Sequence, residues 1–218
     1  MTCGSPDMDN ERTVPHIDRQ RKAATRMGPR PQQFRIAPVV DPSKEVVEIL
    51  EKTLLQDDGR PINIFGVLAH HPRLLKRFNI FAGLLLSSGL LPAREREVVV
   101  LRVGWNCRSV YEFGQHTVIG KRTGLSDTEI AALTRAPNAH EWSPGDRLLI
   151  ALADELCGDD CVSNETWDAL RTTWNEAEMI ELVMVAGTYR LVSGFLNSVG
   201  VQLDTDVPGW PEGTNADR

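Results

Sequence analysis

The segment NEAEMIELVMVAGTYRLVSGF, which runs from Asn175 to Phe195, carries the pattern that decides the fold. Asn175 followed three residues later by Glu178 is typical of a helix start, because the two side chains can bond the first unpaired backbone N–H groups. Behind this start, apolar residues such as Ile180, Met184 and Leu191 recur at helical spacing. The segment therefore predicts a helix with one face packed into a core.

Start signals of the same kind recur along the chain, each with a side-chain acceptor or a proline at the first helical position. They stand at Asp41-Pro42, Ser126 with Glu129, Ser143-Pro144 and Ser163-Asn164. Glycines then close segments, as at Gly89 and Gly124. The pattern predicts an all-α bundle of about eight helices.

One run, Val98-Val99-Val100-Leu101, could equally be a buried strand, because periodicity does not separate the two structures in a short apolar run. No second segment offers itself as a pairing partner, so a helix is favoured. We expect residues 41–205 to form one helical domain. Residues 1–40 contain few apolar positions and are expected to be a flexible N-terminal arm, and residues 206–218 are expected to be a C-terminal tail.

The composition narrows the functional classes. A net charge of -6 argues against a nucleic-acid surface, which needs a basic patch. We find no apolar stretch of the roughly 18–20 residues that cross a bilayer, and the N-terminus lacks the apolar core of a signal peptide. The expectation is a cytoplasmic protein with no membrane partner, whose cysteines stay reduced. They are Cys3, Cys107, Cys157 and Cys161.

Glu112 and His116 form the candidate active centre, because side chains four residues apart on a helix can meet. Imidazole titrates near neutrality, and an adjacent carboxylate orients the ring and favours its protonated form. Trp105, Tyr111 and Phe113 flank the pair, either as the wall of a pocket or simply as core. The alternative for the pair itself is an ordinary ion pair on the helix surface.

The sequence gives less support to a redox dithiol, a metal site, or a kinase or hydrolase site. Cys157 and Cys161 are four residues apart, whereas oxidoreductase dithiols use Cys-x-x-Cys. The remaining histidines form no metal-ligand signature, so we expect no metal site. The sequence contains neither a glycine-rich phosphate loop nor a G-x-S-x-G elbow, which removes kinases and hydrolases of those types.

Four stretches resemble, in the same order, segments of the carboxymuconolactone decarboxylase family, which also contains the alkylhydroperoxidase D proteins. The stretches are Asn63-Ile64-Phe65 with Leu68-Ala69-His70-His71-Pro72, Leu91-Pro92-Ala93-Arg94-Glu95-Arg96-Glu97, Tyr111-Glu112-Phe113-Gly114-Gln115-His116, and Gly124-Leu125-Ser126-Asp127-Thr128-Glu129-Ile130. The resemblance implies an alkylhydroperoxidase D-like helical bundle. It also implies an intertwined homo-oligomer, a trimer or hexamer, with the active site beside the subunit interface.

The resemblance further implies roles for single residues. In the redox branch of the family, a Cys-x-x-Cys precedes the histidine that matches His116, and a glutamate that matches Glu97 helps to move protons. Here the two cysteine positions hold Ser109 and Glu112, and neither can form the disulfide that peroxide reduction needs. In the decarboxylase branch the pattern is Tyr-Glu-x-x-x-His, which Tyr111, Glu112 and His116 reproduce.

The first hypothesis is a cofactor-free acid–base enzyme similar to 4-carboxymuconolactone decarboxylase. It acts on a small lactone, keto acid or related carbonyl compound by decarboxylation, isomerisation or similar enol chemistry. His116 is the general acid or base, Glu112 its proton-exchanging partner and Glu97 a second carboxylate. Substrate contacts are expected from Tyr111, Trp105, Phe113, Arg94 and Arg102, the two arginines through a substrate carboxylate. The alternative is a binding, assembly or pathway accessory protein on the same scaffold, and a dithiol peroxidase is disfavoured.

Overall fold

A computed structural model describes residues 29–214, and this part of the chain contains nine α-helices and one short 3-10 turn. The helices are α1 (Lys44–Leu50), α2 (Asn63–Leu68), α3 (Pro72–Ser87), α4 (Ala93–Asn106), α5 (Val110–Arg122), α6 (Asp127–Ala132), α7 (Pro144–Asp159), α8 (Asn164–Leu170) and α9 (Glu176–Val199). Between residues 29 and 214 the only β pairing is an isolated bridge, Leu55 with Pro61. The all-α prediction is confirmed, with one helix more than the expected eight.

Side-chain caps explain where most helices begin. Ser126 with Glu129 and Asn175 with Glu178 both form reciprocal capping boxes, at the starts of α6 and α9. Ser143 and Ser163 likewise cap α7 and α8. The first start lies slightly later than predicted. Asp41 has a φ of 55°, in the left-handed region, and Ser43 caps α1 instead.

Helix α4 forms the centre of the bundle and packs against α5, α7 and α9. The run Val98–Leu101, which could have been a strand, is helical and fully buried. The run can stay wholly apolar because neighbouring helices cover α4 on several sides. A short turn connects α4 to α5, so the two helices lie side by side and their inner faces meet.

The chain ends pack more closely than predicted. The backbone N–H of Arg35 donates to the Val199 carbonyl at 2.7 Å, and that of Val39 donates to the Gly66 carbonyl at 3.0 Å. At the other end, a Cβ on Gly114 of α5 would lie 2.3 Å from the Pro208 carbonyl oxygen, so only glycine permits this approach. Arg35, Val39 and Pro208 therefore contact the helical body, although residues 29–40 and 206–214 stay exposed or half-buried; residues 1–28 and 215–218 of the predicted arm and tail lie outside the described residues.

Helix α9 corrects one expectation from the sequence. Over residues 29–214 it is the one helix that is long and apolar enough, by length and composition alone, to cross a bilayer. Half of its most apolar 18-residue window is buried inside the bundle. The central helix of a packed bundle has the same composition, so this property is weak evidence for a membrane span.

Candidate active site

The packing of α4 against α5 brings Glu97 and His116 together, although they are far apart in sequence. Oε2 of Glu97 lies 2.6 Å from Nδ1 of His116, and the Glu97 side chain is fully buried. Its other oxygen, Oε1, accepts a hydrogen bond of 2.9 Å from Nε of Arg96. Glu97 is thus fixed from both sides and orients the imidazole ring through Nδ1.

Glu112 approaches the opposite edge of the same ring. Its Oε1 lies 3.2 Å from Nε2 of His116, an i, i+4 contact looser than that of Glu97. Glu112 and His116 are only 4% and 5% exposed, so the alternative of an ion pair on the helix surface is wrong. The imidazole therefore lies between two carboxylates: that of Glu97 is fully buried and 2.6 Å away, and that of Glu112 is 3.2 Å away.

This arrangement sets the charge of His116. Burial alone would lower the pKa of His116, but attraction to Glu97 and hydrogen bonding to both carboxylates raise that pKa to about 10. Burial likewise acts to raise the pKa of Glu97, but the neighbouring His116 and Arg96 hold it below its ordinary value. At neutral pH the centre therefore contains an imidazolium beside ionised Glu97, and His116 is an acid in its resting state.

Glu112 and His116 face a cavity of about 320 Å³, near the lower end of the size range of small-molecule sites. Its wall is mainly apolar and comes from α2, α3, α5 and α9 and the segment before α2, with Ile64, Phe65, Leu85 and Val192 among the buried lining residues. Exclusion of water from such a cavity strengthens charge interactions inside it. The geometry suits proton transfer to or from a small bound molecule.

Tyr189 of α9 is a site residue that sequence reasoning missed. Its ring meets the His116 ring edge to face, with centroids 4.8 Å apart and an interplanar angle of 83°, and it lines the cavity. Burial, followed by the nearby carboxylates Glu112 and Glu97, raises the pKa of Tyr189 well above its ordinary value. The only signal in the sequence was a polar-tipped ring within an apolar helix, which is too weak to indicate a site.

Tyr111, a predicted substrate contact, lines the cavity with its ring, but its hydroxyl is bound elsewhere. The hydroxyl donates to Oδ2 of Asp204 at 2.6 Å and accepts from the backbone N–H of Ile64 at 3.2 Å. Gln115 donates to the same Asp204 oxygen at 2.6 Å. Tyr111 therefore ties α2 and the segment after α9 to α5.

Trp105 and Phe113 do not line the cavity, contrary to expectation. Both pack against Trp210 of the C-terminal segment, with ring centroids 5.3 Å and 5.0 Å away. Phe113 neighbours Glu112 in sequence, but adjacent positions on a helix point in different directions. Phe113 belongs to the hydrophobic core, and Trp105 is partly buried and packs against that core.

Arg94 and Arg102 also lie away from the cavity, and this corrects their predicted role as anchors for a substrate carboxylate. Arg94 bonds Asp146 at 2.8 Å and also pairs with Glu129, whereas Arg102 makes a bidentate contact with Asp154 at 2.6 and 2.8 Å. Arg102 also donates to two backbone carbonyls. Both guanidinium groups link helices within the bundle.

The cysteines lie outside the cavity wall as well. The Cys157 thiol contacts that of Cys107, and this hydrogen bond together with burial raises the pKa of Cys157 far above its usual range. Cys161 is exposed. Among residues 29–214, no group of three or more His, Cys, Asp or Glu side chains could hold a metal ion.

Comparison with known proteins places this geometry in context. Residues 72–155 match the carboxymuconolactone decarboxylase family. A peroxidase-related protein from Silicibacter sp. TM1040 superposes with a TM-score of 0.71 at 13% identity, over 84% of this chain and 97% of that one. An AhpD core protein from Ralstonia eutropha JMP134 gives 0.65 at 18% identity, over 80% and 96%. Residues 72–155 thus resemble that family, and the fold of the described residues is AhpD-like.

Two further proteins are similar to this chain. The debrominase Bmp8, solved as a complex with 2,3,4-tribromopyrrole, has a TM-score of 0.64 at 12% identity, over 79% of this chain and 93% of that one. Human Sestrin-2 is 27% identical over 204 residues, which are 89% of this chain and 41% of Sestrin-2. The chain therefore spans less than half the length of this curated relative. At identities below 25%, the likeness to these solved structures shows a shared fold.

Proposed function

We propose that this protein is an acid–base enzyme that performs enol chemistry on a small carbonyl compound. The observation that carries the proposal is the His116 imidazole, held 2.6 Å from Glu97 and 3.2 Å from Glu112 beside a largely apolar cavity. A positioned acid and a positioned base are the groups needed for decarboxylation or isomerisation through an enolate. Such chemistry is similar to that of 4-carboxymuconolactone decarboxylase.

The three residues take distinct roles in this proposal. Glu97 is the positioning residue, because it is sealed from the cavity and holds Nδ1. His116 is the general acid, since its raised pKa keeps a proton on Nε2 at neutral pH. Glu112 is the carboxylate at the cavity, and its loose contact with Nε2 leaves that proton available to a substrate.

A proton transfer through the pair returns the enzyme to its starting state. Glu112 takes a proton from the carbon next to a carbonyl group, and the C–H electrons become the C=C bond of an enolate. His116 then protonates the enolate at a different atom, and Glu112 passes its proton back to Nε2. With a keto acid, breakage of the C–C bond to the carboxylate releases CO₂ and leaves the enolate instead; His116 protonates it and then regains a proton from solvent water.

A dithiol peroxidase mechanism does not fit the residues at this centre. Ser109 and Glu112 stand where the redox branch is inferred to carry its cysteines, and neither can form a disulfide. Cys107, Cys157 and Cys161 do not line the cavity. The resemblance to peroxidase-related proteins therefore supports a shared fold, but it does not support a dithiol peroxidase activity for this chain.

The test replaces His116 by Gln and, separately, Glu112 by Gln, and measures conversion of a panel of lactones, β-keto acids and ketones by NMR. Loss of a general acid or base costs about 10²–10⁴-fold in rate, and we expect each variant to show a loss in that range. His140→Gln is the matched control, because His140 does not line the cavity. Unchanged turnover in both site variants, with folding confirmed by circular dichroism, contradicts the proposal.

An assembly role remains the second candidate, and one surface favours it. Helices α3 and α9 expose large apolar side chains, with Ile80, Leu84, Ile180 and Leu191 between 52% and 67% exposed. Ile180 and Leu191 were expected to face the core, and this expectation is wrong, because other positions of α9 such as Leu182 and Val185 are buried there instead. Apolar faces of this kind are typical of subunit interfaces. We propose that they associate in a homo-oligomer of this chain, as the superfamily resemblance implies.

A further inference from the structure

We propose that Tyr189 contacts the substrate directly, donating a hydrogen bond from its phenolic hydroxyl to a carbonyl oxygen, and that the substrate is an uncharged carbonyl compound. The inference rests on the proposed acid–base function and narrows it, because it removes carboxylated lactones and keto acids from the candidate substrates. It also adds a third substrate-facing group to Glu112 and His116.

The first argument concerns unpaired polar groups in the cavity. Four buried residues with polar side chains line it, and three of them are already paired: Tyr111 with Asp204, and Glu112 and His116 with one another. Among residues 29–214, the Tyr189 hydroxyl has no hydrogen-bond partner, although Tyr189 is only 7% exposed. Buried hydroxyl groups normally have a partner, so this one lacks an acceptor that a bound molecule can supply.

The Tyr189 hydroxyl is also open to the cavity. The buried hydroxyls of Ser109, Thr117 and Ser193 are sealed from solvent as well as unpaired, and the Tyr189 oxygen is not among these sealed atoms. Because Tyr189 lines the cavity and is otherwise nearly buried, we infer that its accessible oxygen faces the cavity. The edge-to-face contact with His116 holds the ring in this position.

The second argument concerns charge. Among the described residues that line the cavity, Lys52 is the one charged residue besides Glu112 and His116, and it is exposed. His116 already lies between two carboxylates, and Arg96 lines a neighbouring groove and bonds Glu97. A substrate carboxylate in the cavity would meet Glu112 without an uncommitted buried cation, and like charges at short distance repel strongly in such surroundings.

The phenol then completes the chemistry of the centre. When Glu112 removes the α proton, negative charge develops on the carbonyl oxygen, and a donor aimed at that oxygen stabilises the enolate. Tyr189 only shares its proton in this step, because burial and the nearby carboxylates keep the phenol protonated at neutral pH. The proton that leaves carbon resides on Glu112 until His116 has donated its own.

The test compares cyclohexanone with 4-oxocyclohexanecarboxylate, two ketones that differ by one carboxylate. Binding to the full chain is followed by ligand-observed NMR, and exchange of the α protons is followed in D₂O. We expect cyclohexanone to bind at least about tenfold more tightly than the carboxylate, an ordinary factor for one unfavourable buried charge. Tyr189→Phe should slow exchange by about 10²-fold, as does the loss of one oxyanion donor, with little change in melting temperature.

A matched control removes the other tyrosine hydroxyl on the cavity wall. Tyr111→Phe should lower the melting temperature, because that hydroxyl bonds Asp204 and Ile64, whereas Tyr189→Phe should not. Exchange at the wild-type rate in Tyr189→Phe, or equal or tighter binding of the carboxylate, overturns the inference. The acid–base function fails separately, through unchanged exchange in His116→Gln. If the wild type exchanges the α protons of neither ketone, the binding data decide. Weaker binding of cyclohexanone to Tyr189→Phe than to the wild type supports the contact, and absence of cyclohexanone binding to the wild type overturns the inference.

Discussion

Replacing Glu97 by Gln tests the origin of the charge on His116. Glutamine keeps the size of the side chain but removes the negative charge 2.6 Å from Nδ1. Its amide oxygen can still accept from Arg96, and its NH₂ group must then face Nδ1. Because Nδ1 can accept that bond only in a neutral ring, we expect the variant to hold His116 neutral at pH 7.

The magnitude follows from the raised pKa. The rise in the pKa of His116 from its ordinary 6.5 to about 10 corresponds to stabilisation of the folded state on the order of 5 kcal/mol. Since the folded pKa is raised, this contribution is fully present below about pH 6.5 and is lost as the pH rises through about 10. The lowered pKa of Glu97 also stabilises the folded state, and this stabilisation is lost at the acidic end, as the pH falls below about 4.5.

The assay combines urea unfolding at a series of pH values with an NMR titration of the His116 ring. In the wild type, the free energy of unfolding should fall between about pH 6.5 and 10, whereas in Glu97→Gln it should be nearly flat there. At pH 7 the variant should be less stable by about 3 kcal/mol, the lower end of the cost of breaking a buried ion pair, because the amide keeps its hydrogen bonds. Glu165→Gln, an exposed position on α8, is the control. A His116 pKa that stays near 10 in Glu97→Gln refutes the reasoning.

Two further predictions follow from the placement of charged and apolar side chains. Arg102→Gln should lower the free energy of unfolding by about 3 kcal/mol, measured in urea, because it breaks the bidentate contact with Asp154. The KM for a converted ketone should stay unchanged in that variant, and a raised KM would restore Arg102 as a substrate contact. The double variant Ile180→Glu with Leu191→Glu should lower the native mass in sedimentation equilibrium, since charge on the exposed face of α9 opposes subunit contact. An unchanged mass would remove that face as an interface.

The fold was predictable because its signals are local. A capping side chain and the first-turn N–H groups that it bonds lie within three residues, so Ser126, Ser143, Ser163 and Asn175 could be recognised as starts from the sequence alone. The contact between Glu112 and His116 is local in the same sense, because one helical turn fixes it. Features within one turn of a helix require no knowledge of tertiary packing.

The errors lie where tertiary contacts decide. Arg94 and Arg102 were expected to meet a substrate, but their acidic partners come from α6 and α7, and neither spacing nor composition connects those segments with α4. Trp105 of α4 and Phe113 of α5 were assigned to the pocket by nearness in sequence, whereas both pack against Trp210, which lies far along the chain. Tyr189 was missed for the same reason, because only the packing of α9 beside α5 brings it to His116.

The identity of residue 112 explains why one helical frame can support different chemistry. A thiol at this position would be neutral or weakly acidic and would leave Glu97 as the only strong negative charge on His116. Glu112 instead places a second carboxylate beside Nε2, whereas Glu97 contacts the other ring nitrogen, Nδ1. The contact with Glu112 helps to raise the pKa of His116 to about 10. The histidine is thereby kept as an acid in its resting state, with the Glu112 side chain beside it. An exchange of cysteine for glutamate at this position would thus replace electron transfer by proton transfer without any change in the backbone that holds the site.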